Sequence, residues 1–151
     1  MSPHPAPHRH PVDVALIAAL ADTYALAVKT HAAHWNVVGP AFFALHEAFE
    51  AQYRALLEAA DAIAERLRAR GVSAPAGLAT LAASTGIADL ETSRGEGICA
   101  ALALDHRQVA GVARQALERA QADGDEVTVD LLVERIAAHD HTAWMLQAQA
   151  G

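Results

Sequence analysis

Four side chains of one segment could together bind a metal ion: His46, Glu50, Asp61 and Glu65. If residues 41–70 form a helix, which turns about 100° per residue, these four lie within roughly 100° of one another around its axis. The same face borders a row of apolar side chains. Ionisable groups there are costly to bury unless they are paired or bound to a metal. The segment therefore predicts a cation site on one helix face.

The distances along this helix indicate how such a site is built. At about 1.5 Å per residue, the His46/Glu50 pair lies roughly 22 Å from the Asp61/Glu65 pair, too far for one ion to bridge. An antiparallel copy of the helix, packed across a two-fold axis near Ala55, places each pair opposite the other pair of its neighbour. The spacing predicts two equivalent sites per dimer. Their imidazole and carboxylate ligands suit ferrous iron, although manganese or zinc could compete.

Two further histidines come before the turn that precedes this helix. His34 is separated from His46 by the breaker pair Gly39-Pro40. Helices joined by so short a turn are antiparallel neighbours, so His34 is expected to fold back beside His46. His31 lies one turn earlier on the same face. It is either a ligand, a donor that hydrogen-bonds to a ligand, or an ordinary polar residue at a helix–helix seam.

On spacing alone, a solvated helix face explains the carboxylates as well as a metal site does. Glu50, Asp61 and Glu65 would then be exposed, and three arginines of the same segment could pair with them: Arg54, Arg66 and Arg68. The residues by themselves leave both alternatives open.

Four long helices are predicted to carry these residues. The first runs from about Asp13, a candidate N-cap, to Val38. The others cover about 41–70, 96–122 and 126–149, with Asp125 as a candidate N-cap of the last. In the second helix, apolar residues recur at the spacings of a buried stripe: Phe42, Leu45, Phe49, Leu56, Ile63 and Leu67.

The connection between the second and third helices, Val72–Ser93, is long for a compact bundle. It includes a short amphipathic piece, LATLAAS, and is expected to cross from one end of the bundle to the other. The pattern predicts an all-α fold, a ferritin-like four-helix bundle with a short extra helix in the long connection. A plain up-down bundle is the alternative. Residues 1–11 are expected to form a flexible arm, and residues 12–151 one domain.

The composition narrows the class of protein. Aromatic residues make up only 5% of the chain, and alanine and leucine dominate, which favours helices. The sequence has no run of about 18 uninterrupted apolar residues and no apolar segment of a secretory signal, so no membrane span is expected. Cys99 is the only cysteine, which favours a reducing cytoplasm. The formal charge of −7 suits cations better than nucleic acid.

The segment from Lys29 to Gly71 resembles the signature of the Dps family, the twelve-subunit mini-ferritins. It reads KTHAAHWNVVGPAFFALHEAFEAQYRALLEAADAIAERLRARG and contains HWNV-x-GP, F-x-x-LH with a carboxylate four residues later, and D-x-IAER. The similarity continues in GDEVTVDLL and in HTAWML near the C-terminus, and so covers almost the whole chain after the arm. It implies that iron is bound by three ligands of one subunit and two of its two-fold mate: His34, His46 and Glu50, then Asp61 and Glu65.

The same resemblance implies a function. Dps proteins act as ferroxidases that oxidise two ferrous ions per site, preferably with hydrogen peroxide rather than dioxygen. They store the ferric product as mineral in a hollow shell, which protects against oxidative stress. Trp35, beside His34, could take up a stray oxidising equivalent, although a plain core or interface aromatic is the favoured explanation. The alternative function is a nucleoid-associated shell that protects DNA by covering it.

Two other acidic features bear on iron. Glu126, Asp130 and Glu134 recur every fourth residue at the start of the last helix, with Asp125 beside them. Such a stripe is commonly a solvated face that favours the helix dipole. In Dps proteins this segment surrounds three-fold pores, which implies a cation entry path. Glu47, next to His46, could help to nucleate mineral, or it is simply exposed.

DNA binding is expected to be weak at neutral pH. Dps relatives often bind DNA through lysine-rich tails, but this arm has no lysine, and Arg9 is its only fixed positive charge. Twelve subunits of formal charge −7 would give a shell of about −84, which repels a phosphate backbone. Protonated His4, His8 and His10 could help in mild acid. The expected location is the cytoplasm, with association with the nucleoid as an alternative.

Overall fold

The computed structural model describes residues 9–151, which form five helices and no strand. The helices are α1, Pro11–Asn36; α2, Phe42–Ala69; α3, Leu78–Ser84; α4, Gly95–Asp123; and α5, Glu126–Ala150. The prediction of four long helices, with a short one in the long connection, is confirmed. Residues 1–8, on which most of the predicted arm falls, lie outside the described residues.

The helices form two antiparallel hairpins, α1–α2 and α4–α5, which the long connection joins. This connection returns the chain to the end of the bundle at which α1 stops. There the Val38 N–H donates to the Ser93 carbonyl (2.9 Å), and the Gly95 N–H donates to the Val38 carbonyl (3.4 Å). As a result, α4 begins beside the α1–α2 turn and packs along α1. This is the single crossover of the ferritin-like bundle.

The apolar stripe of α2 is buried as its spacing predicts. Its main members are 6% exposed or less: Leu45, Phe49, Leu56, Ile63 and Leu67. Burial of this stripe against the neighbouring helices fixes the rotation of α2 about its own axis. The four predicted ligands of α2 therefore lie along the edge of the stripe, where His46 and Glu50 are half-buried and Asp61 and Glu65 are exposed.

The start of α1 differs from the prediction. The helix begins at Pro11, whose missing N–H costs nothing in a first turn, and His10 Nδ1 accepts a hydrogen bond from the Val12 N–H (3.4 Å). The prediction that Asp13 is the N-cap is wrong. Asp13 lies inside the helix, 5% exposed, and its carboxylate accepts a hydrogen bond from Arg70 (2.6 Å). A long-range ion pair, and not a local cap, explains this residue.

By length and composition, α1 is apolar enough to cross a membrane, although it has no run of about 18 uninterrupted apolar residues. However, 61% of its most apolar stretch is buried inside the bundle. The charged Lys29 of this helix is also buried, and it pairs with Asp105 of α4 (2.7 Å). The apolar character of α1 is thus explained by its place in the bundle core.

A cluster of charges joins the helix ends at the opposite end of the bundle from the α1–α2 turn. Arg70, at the end of α2, pairs with Asp13 (2.6 Å) and with Asp125 (2.6 Å), and Arg66 also pairs with Asp125 (3.0 Å). Asp125 caps α5, as predicted, by accepting a hydrogen bond from the Thr128 N–H (3.1 Å). Burial alone would raise the pKa of Asp125, but the hydrogen bonds from Thr128, Arg66 and Arg70 outweigh it and hold the pKa well below its usual range.

The long connection is fixed to α1 by one buried carboxylate, and its removal should destabilise the fold. Asp22 is 4% exposed and accepts hydrogen bonds from Thr85 Oγ1 (2.7 Å) and the Gly86 N–H (2.9 Å). A hydrogen bond to a charged group contributes about 1.5–3 kcal/mol, and the two bonds here share one oxygen, Asp22 Oδ1, so they are not expected to add in full. Asp22→Ala is therefore expected to lower the free energy of unfolding by about 2–3 kcal/mol in urea denaturation. Asp89→Ala, at an exposed site of the same connection, should change it by less than about 0.5 kcal/mol. Equal effects of the two substitutions would contradict this role of Asp22.

Candidate metal centre

The α1–α2 turn brings two of the predicted ligands together. Gly39 has a φ of +120°, a backbone conformation that favours glycine, and its carbonyl accepts a hydrogen bond from the Phe42 N–H (3.1 Å). The chain therefore reverses within a few residues, and the last turn of α1 lies beside the first turns of α2. His34 of α1 and His46 of α2 consequently lie in direct contact, with ring centroids 3.8 Å apart.

His34 and His46 fix each other's orientation through a reciprocal pair of hydrogen bonds. His34 Nδ1 lies 2.7 Å from the carbonyl oxygen of His46, and His46 Nδ1 lies 2.8 Å from that of His34. Because a carbonyl oxygen can only accept, both Nδ1 atoms carry the hydrogen. Each Nε2 then keeps its lone pair, as a metal ligand requires. The bond from the other ring N–H to a carbonyl, which commonly orients such ligands, is already in place.

Glu50 lies one turn beyond His46, and its carboxylate is held by Arg54. Arg54 donates to Glu50 Oε1 through Nε (3.1 Å) and Nη2 (2.7 Å). This hydrogen bond lowers the pKa of Glu50, and the charge of Arg54 adds to the effect, while burial opposes it. Glu50 is therefore ionised at neutral pH. The side chain of Glu50 is 40% exposed and that of Arg54 is 64% exposed, so a divalent cation can reach this carboxylate and compete with Arg54 for it.

Asp61 and Glu65 have neither an ion pair nor a side-chain hydrogen bond with any of residues 9–151. The arginines expected to pair with them on a solvated face bind elsewhere: Arg66 to Asp125 and Arg68 to Ser73. The pairing expected on a solvated face is thus present for Glu50 but not for these two carboxylates. They are free to act as cation ligands, with both carboxylates exposed on the surface of α2.

The ligand candidates of one chain form two separate groups. Because α2 is one unbroken helix from Phe42 to Ala69, Asp61 and Glu65 remain about 22 Å along its axis from His46 and Glu50. Among the described residues of a single chain, no group of three or more His, Cys, Asp or Glu side chains is close enough to hold one metal ion. Each group therefore needs ligands from outside the chain to complete a multidentate site.

His31 belongs to an aromatic cluster next to the paired histidines. Its ring stacks on Tyr53 (centroids 4.1 Å apart) and also contacts Trp35 (4.1 Å), while His34 lies further away at 6.3 Å. Tyr53 is 8% exposed and Trp35 is 64% exposed. The sequence analysis did not single out Tyr53, although it follows His46 by two helical turns on the same face of α2. Two oxidisable rings, those of Trp35 and Tyr53, therefore contact His31, whose ring centroid lies 6.3 Å from that of the candidate ligand His34.

The acidic residues of α5 divide into two kinds. Asp125 is engaged with Arg66, Arg70 and Thr128, as described above. Glu126, Asp130 and Glu134 are exposed, and of these only Glu134 has an ion pair among the described residues, with its neighbour Arg135 (3.3 Å). A cation path along α5 would therefore depend on these three residues. Glu47, beside His46, is also exposed.

Comparison with known protein families relates this architecture to ferritins. The family model described as the ferritin-like domain matches residues 14–151. The DNA protection during starvation protein of Brevibacillus brevis is 37% identical over 141 residues, which span 91% of this chain and 93% of that protein.

Solved structures show the same fold. Dps from Staphylococcus aureus superposes with a TM-score of 0.91 and 26% identity, over 97% of this chain and 99% of that one. The Dps protein from Vibrio cholerae O1, described as a member of a broad superfamily of ferritin-like diiron-carboxylate proteins, gives a TM-score of 0.89 and 27% identity. The superposition covers 93% of this chain and 89% of the Vibrio cholerae chain.

Proposed function

Because the chain belongs to the Dps family of ferritin-like proteins, we propose that it is a ferroxidase and an iron-storage mini-ferritin. It oxidises ferrous iron with hydrogen peroxide at sites between two subunits and stores the ferric mineral in a hollow shell of twelve subunits. The protein acts in the cytoplasm, where it limits oxidative damage. Iron is the substrate, with two ions per site, and zinc or manganese can occupy the same ligands.

One observation supports this proposal above all: His46, in the first half of α2, is already paired with His34 of α1, and a free carboxylate pair lies in the second half of α2. A second copy of α2, antiparallel across a two-fold axis near Ala55, brings Asp61 and Glu65 of one subunit opposite His46 and Glu50 of the next. Each dimer then holds two equivalent sites. Three carboxylates offset the charge of the two ferrous ions, and two imidazoles with fixed tautomers orient them.

The proposed reaction balances without a radical product. Each of two ferrous ions gives one electron, the O–O bond of hydrogen peroxide breaks, and two ferric ions and two hydroxide ions form. Arg54 binds only Oε1 of Glu50, so Oε2 is available to iron, and the three carboxylates stabilise the higher charge of the ferric product. Because both electrons are delivered at one site, hydroxyl radical is not released. Trp35, with His31 and Tyr53 behind it, can take up an oxidising equivalent that escapes.

The exposed acidic residues are assigned roles in iron supply. Glu126, Asp130 and Glu134 line the cation entry path, and Glu47 helps to nucleate the mineral. Covering DNA is the alternative function, and the name of the Brevibacillus relative favours it. The formal charge of −7 per chain disfavours it, because a DNA-covering shell must neutralise phosphates.

The proposed function predicts that His46→Ala abolishes peroxide-dependent iron oxidation. The substitution removes one imidazole ligand and also the ring that stacks on His34 (centroids 3.8 Å apart), so the initial rate of iron oxidation is expected to fall at least tenfold. The rate is measured from the ferric absorbance after ferrous iron and peroxide are mixed. His141→Ala, which removes an exposed histidine of α5, is the control and should retain the rate. Equal rates in the two variants would overturn the proposed function.

A further inference from the structure

A second pair of histidines lies inside a single subunit, on helices that do not contribute to the first pair. His106 of α4 and His139 of α5 are each 2% exposed, and their Nδ1 atoms are 2.9 Å apart. Their rings are tilted by 51°, with centroids 5.1 Å apart, so the contact is made between the nitrogen atoms and not between the ring faces. Two buried imidazoles that meet through nitrogen call for a chemical explanation.

The distance of 2.9 Å fits two kinds of bond. One is a hydrogen bond in which one Nδ1 carries the hydrogen and the other accepts it. The other is coordination of one metal ion by both Nδ1 atoms, in which the two nitrogens are neighbouring ligands. With metal–nitrogen distances of about 2.0–2.1 Å, octahedral angles place neighbouring nitrogens about 2.8–3.0 Å apart, and tetrahedral angles place them about 3.3–3.4 Å apart. The pair therefore lies close to a ligating geometry and would reach it with a small movement.

The surrounding polar atoms favour the metal. His106 Nε2 is buried without a hydrogen-bond partner, and so is Oε1 of Gln52 on α2. If both Nδ1 atoms bind a metal ion, Nε2 of His106 must carry its hydrogen and becomes a donor. The Gln52 oxygen, which lines the same cleft, is an acceptor. A ligating histidine commonly donates its other N–H to such an oxygen, so the two unpartnered atoms complement each other.

The cleft beside the pair has room for further ligands. It lies between α2, α4 and α5 and has a volume of about 200 Å³, enough for several water molecules. Burial lowers the pKa of His106 to about 3 and that of His139 to about 4. For His139 the charge of Arg135 lowers the pKa further, whereas that of Asp140 raises it. Both imidazoles are thus neutral at pH 7 and keep their lone pairs.

We infer that His106 and His139 bind one divalent first-row transition-metal ion, such as Zn²⁺, through their Nδ1 atoms. Water from the cleft completes the coordination, and a rotation of the Gln52 side chain would let its Oε1, which has no partner among residues 9–151, accept a hydrogen bond from His106 Nε2. Imidazole ligands suit zinc, copper, nickel and iron and disfavour magnesium and calcium. Both imidazoles belong to one chain, so the site does not depend on the proposed ferroxidase function.

Crystals of the full chain grown with millimolar Zn²⁺, and measured on both sides of the zinc absorption edge, test this inference directly. The expected result is an anomalous peak within about 2.0–2.2 Å of both Nδ1 atoms. Absence of a peak between the two rings at that zinc concentration would overturn the inference. It would leave the hydrogen bond as the explanation of the pair.

A thermal measurement supplies a second readout. In a chain with His34→Ala and His46→Ala, which lacks the other pair, Zn²⁺ at a hundredfold excess over its Kd should raise Tm by about 5–10 °C. Adding His139→Gln should abolish the rise, and adding His141→Gln on the same helix should retain it. The same rise in all three chains would contradict the assignment. If the His139→Gln chain does not fold, the anomalous map decides the question.

Discussion

A subunit with His46→Ala, assembled with a subunit with Asp61→Ala, is expected to regain the iron oxidation that neither variant shows alone. In a dimer of identical His46→Ala chains, both sites lack an imidazole, and in a dimer of Asp61→Ala chains both lack a carboxylate. In the mixed dimer, both defects fall on one site. The other site combines an intact His46 with an intact Asp61 of its mate and is whole.

The amount of recovered activity is also predicted. If the two variants are co-expressed in equal amounts and pair at random, half of the dimers are mixed and each has one intact site of two. Total activity should then be about a quarter of that of the unmodified protein. Native mass spectrometry of the dimers, with a short affinity tag on one variant, checks the mixing.

A matched pair of variants controls for nonspecific rescue. His46→Ala co-expressed with Glu50→Ala places both defects in the same half-site, so each of the two sites in a mixed dimer carries one defect. No recovery is expected. Recovery in this control, or none in verified mixed dimers of the first pair, would contradict the inter-subunit site. The ferroxidase function could still hold in the second case, because the loss in each single variant is measured separately.

Arg70→Ala is expected to cause the largest loss of stability of any single substitution considered. The guanidinium of Arg70 is 14% exposed and binds Asp13 and Asp125, each at 2.6 Å. Removing one partner of a buried ion pair leaves an uncompensated charge and commonly costs about 3–5 kcal/mol. Asp125 keeps Arg66 and Thr128, whereas the carboxylate of Asp13 has no other hydrogen bond or ion pair among the described residues. The cost therefore falls mainly on Asp13.

Thermal unfolding measures this loss. For a domain of this size, each kcal/mol shifts Tm by about 2–4 °C, so a decrease of about 6–20 °C is expected. Arg68→Ala, at an exposed site whose side chain hydrogen-bonds to Ser73 (3.1 Å), is the control and should shift Tm by less than about 2 °C. Combining Arg70→Ala with Asp13→Ala should recover part of the loss, because the unpaired carboxylate is then removed. If the double variant is less stable than Arg70→Ala alone, the explanation through Asp13 is wrong.

The pH dependence follows from the same cluster. The folded state holds the pKa of Asp125 below its unfolded value, so the unfolded chain binds more protons at acidic pH. The stability that Asp125 contributes is thus fully present above its ordinary pKa of 3.8. It is lost progressively as the pH falls below that value.

The helices and the position of the His34–His46 pair could be predicted from the sequence, because both depend on residues that are close together in the chain. Gly39-Pro40 ends one helix, the apolar stripe of α2 fixes its rotation, and a short turn forces His34 beside His46. The reciprocal Nδ1–carbonyl bonds were not accessible, because they depend on side-chain orientations that only close packing sets. The sequence motifs named the ligand candidates, but nothing in one chain tests how two chains combine.

The features that the sequence did not predict have a common physical cause. Asp13 looked like a cap because capping is a local pattern, but its partner Arg70 lies 57 residues away. His106 and His139 are 33 residues apart on two helices, and no periodicity reveals that their faces meet. Tyr53 was overlooked because an aromatic residue on a buried stripe has no sequence feature that separates packing from a role beside a ligand.

The unbroken course of α2 has a consequence for inheritance. If α2 supplies ligands to both centres of the dimer, the number of residues between Glu50 and Asp61 matters as much as the ligands themselves. A single codon inserted there would rotate one half-site by about 100° and shift it by about 1.5 Å relative to the other. Each centre of the dimer would inherit the same error at once. Insertions in the arm or the long connection do not change the spacing of the two half-sites. Descendants of this chain can therefore differ in length in those segments but not between Glu50 and Asp61.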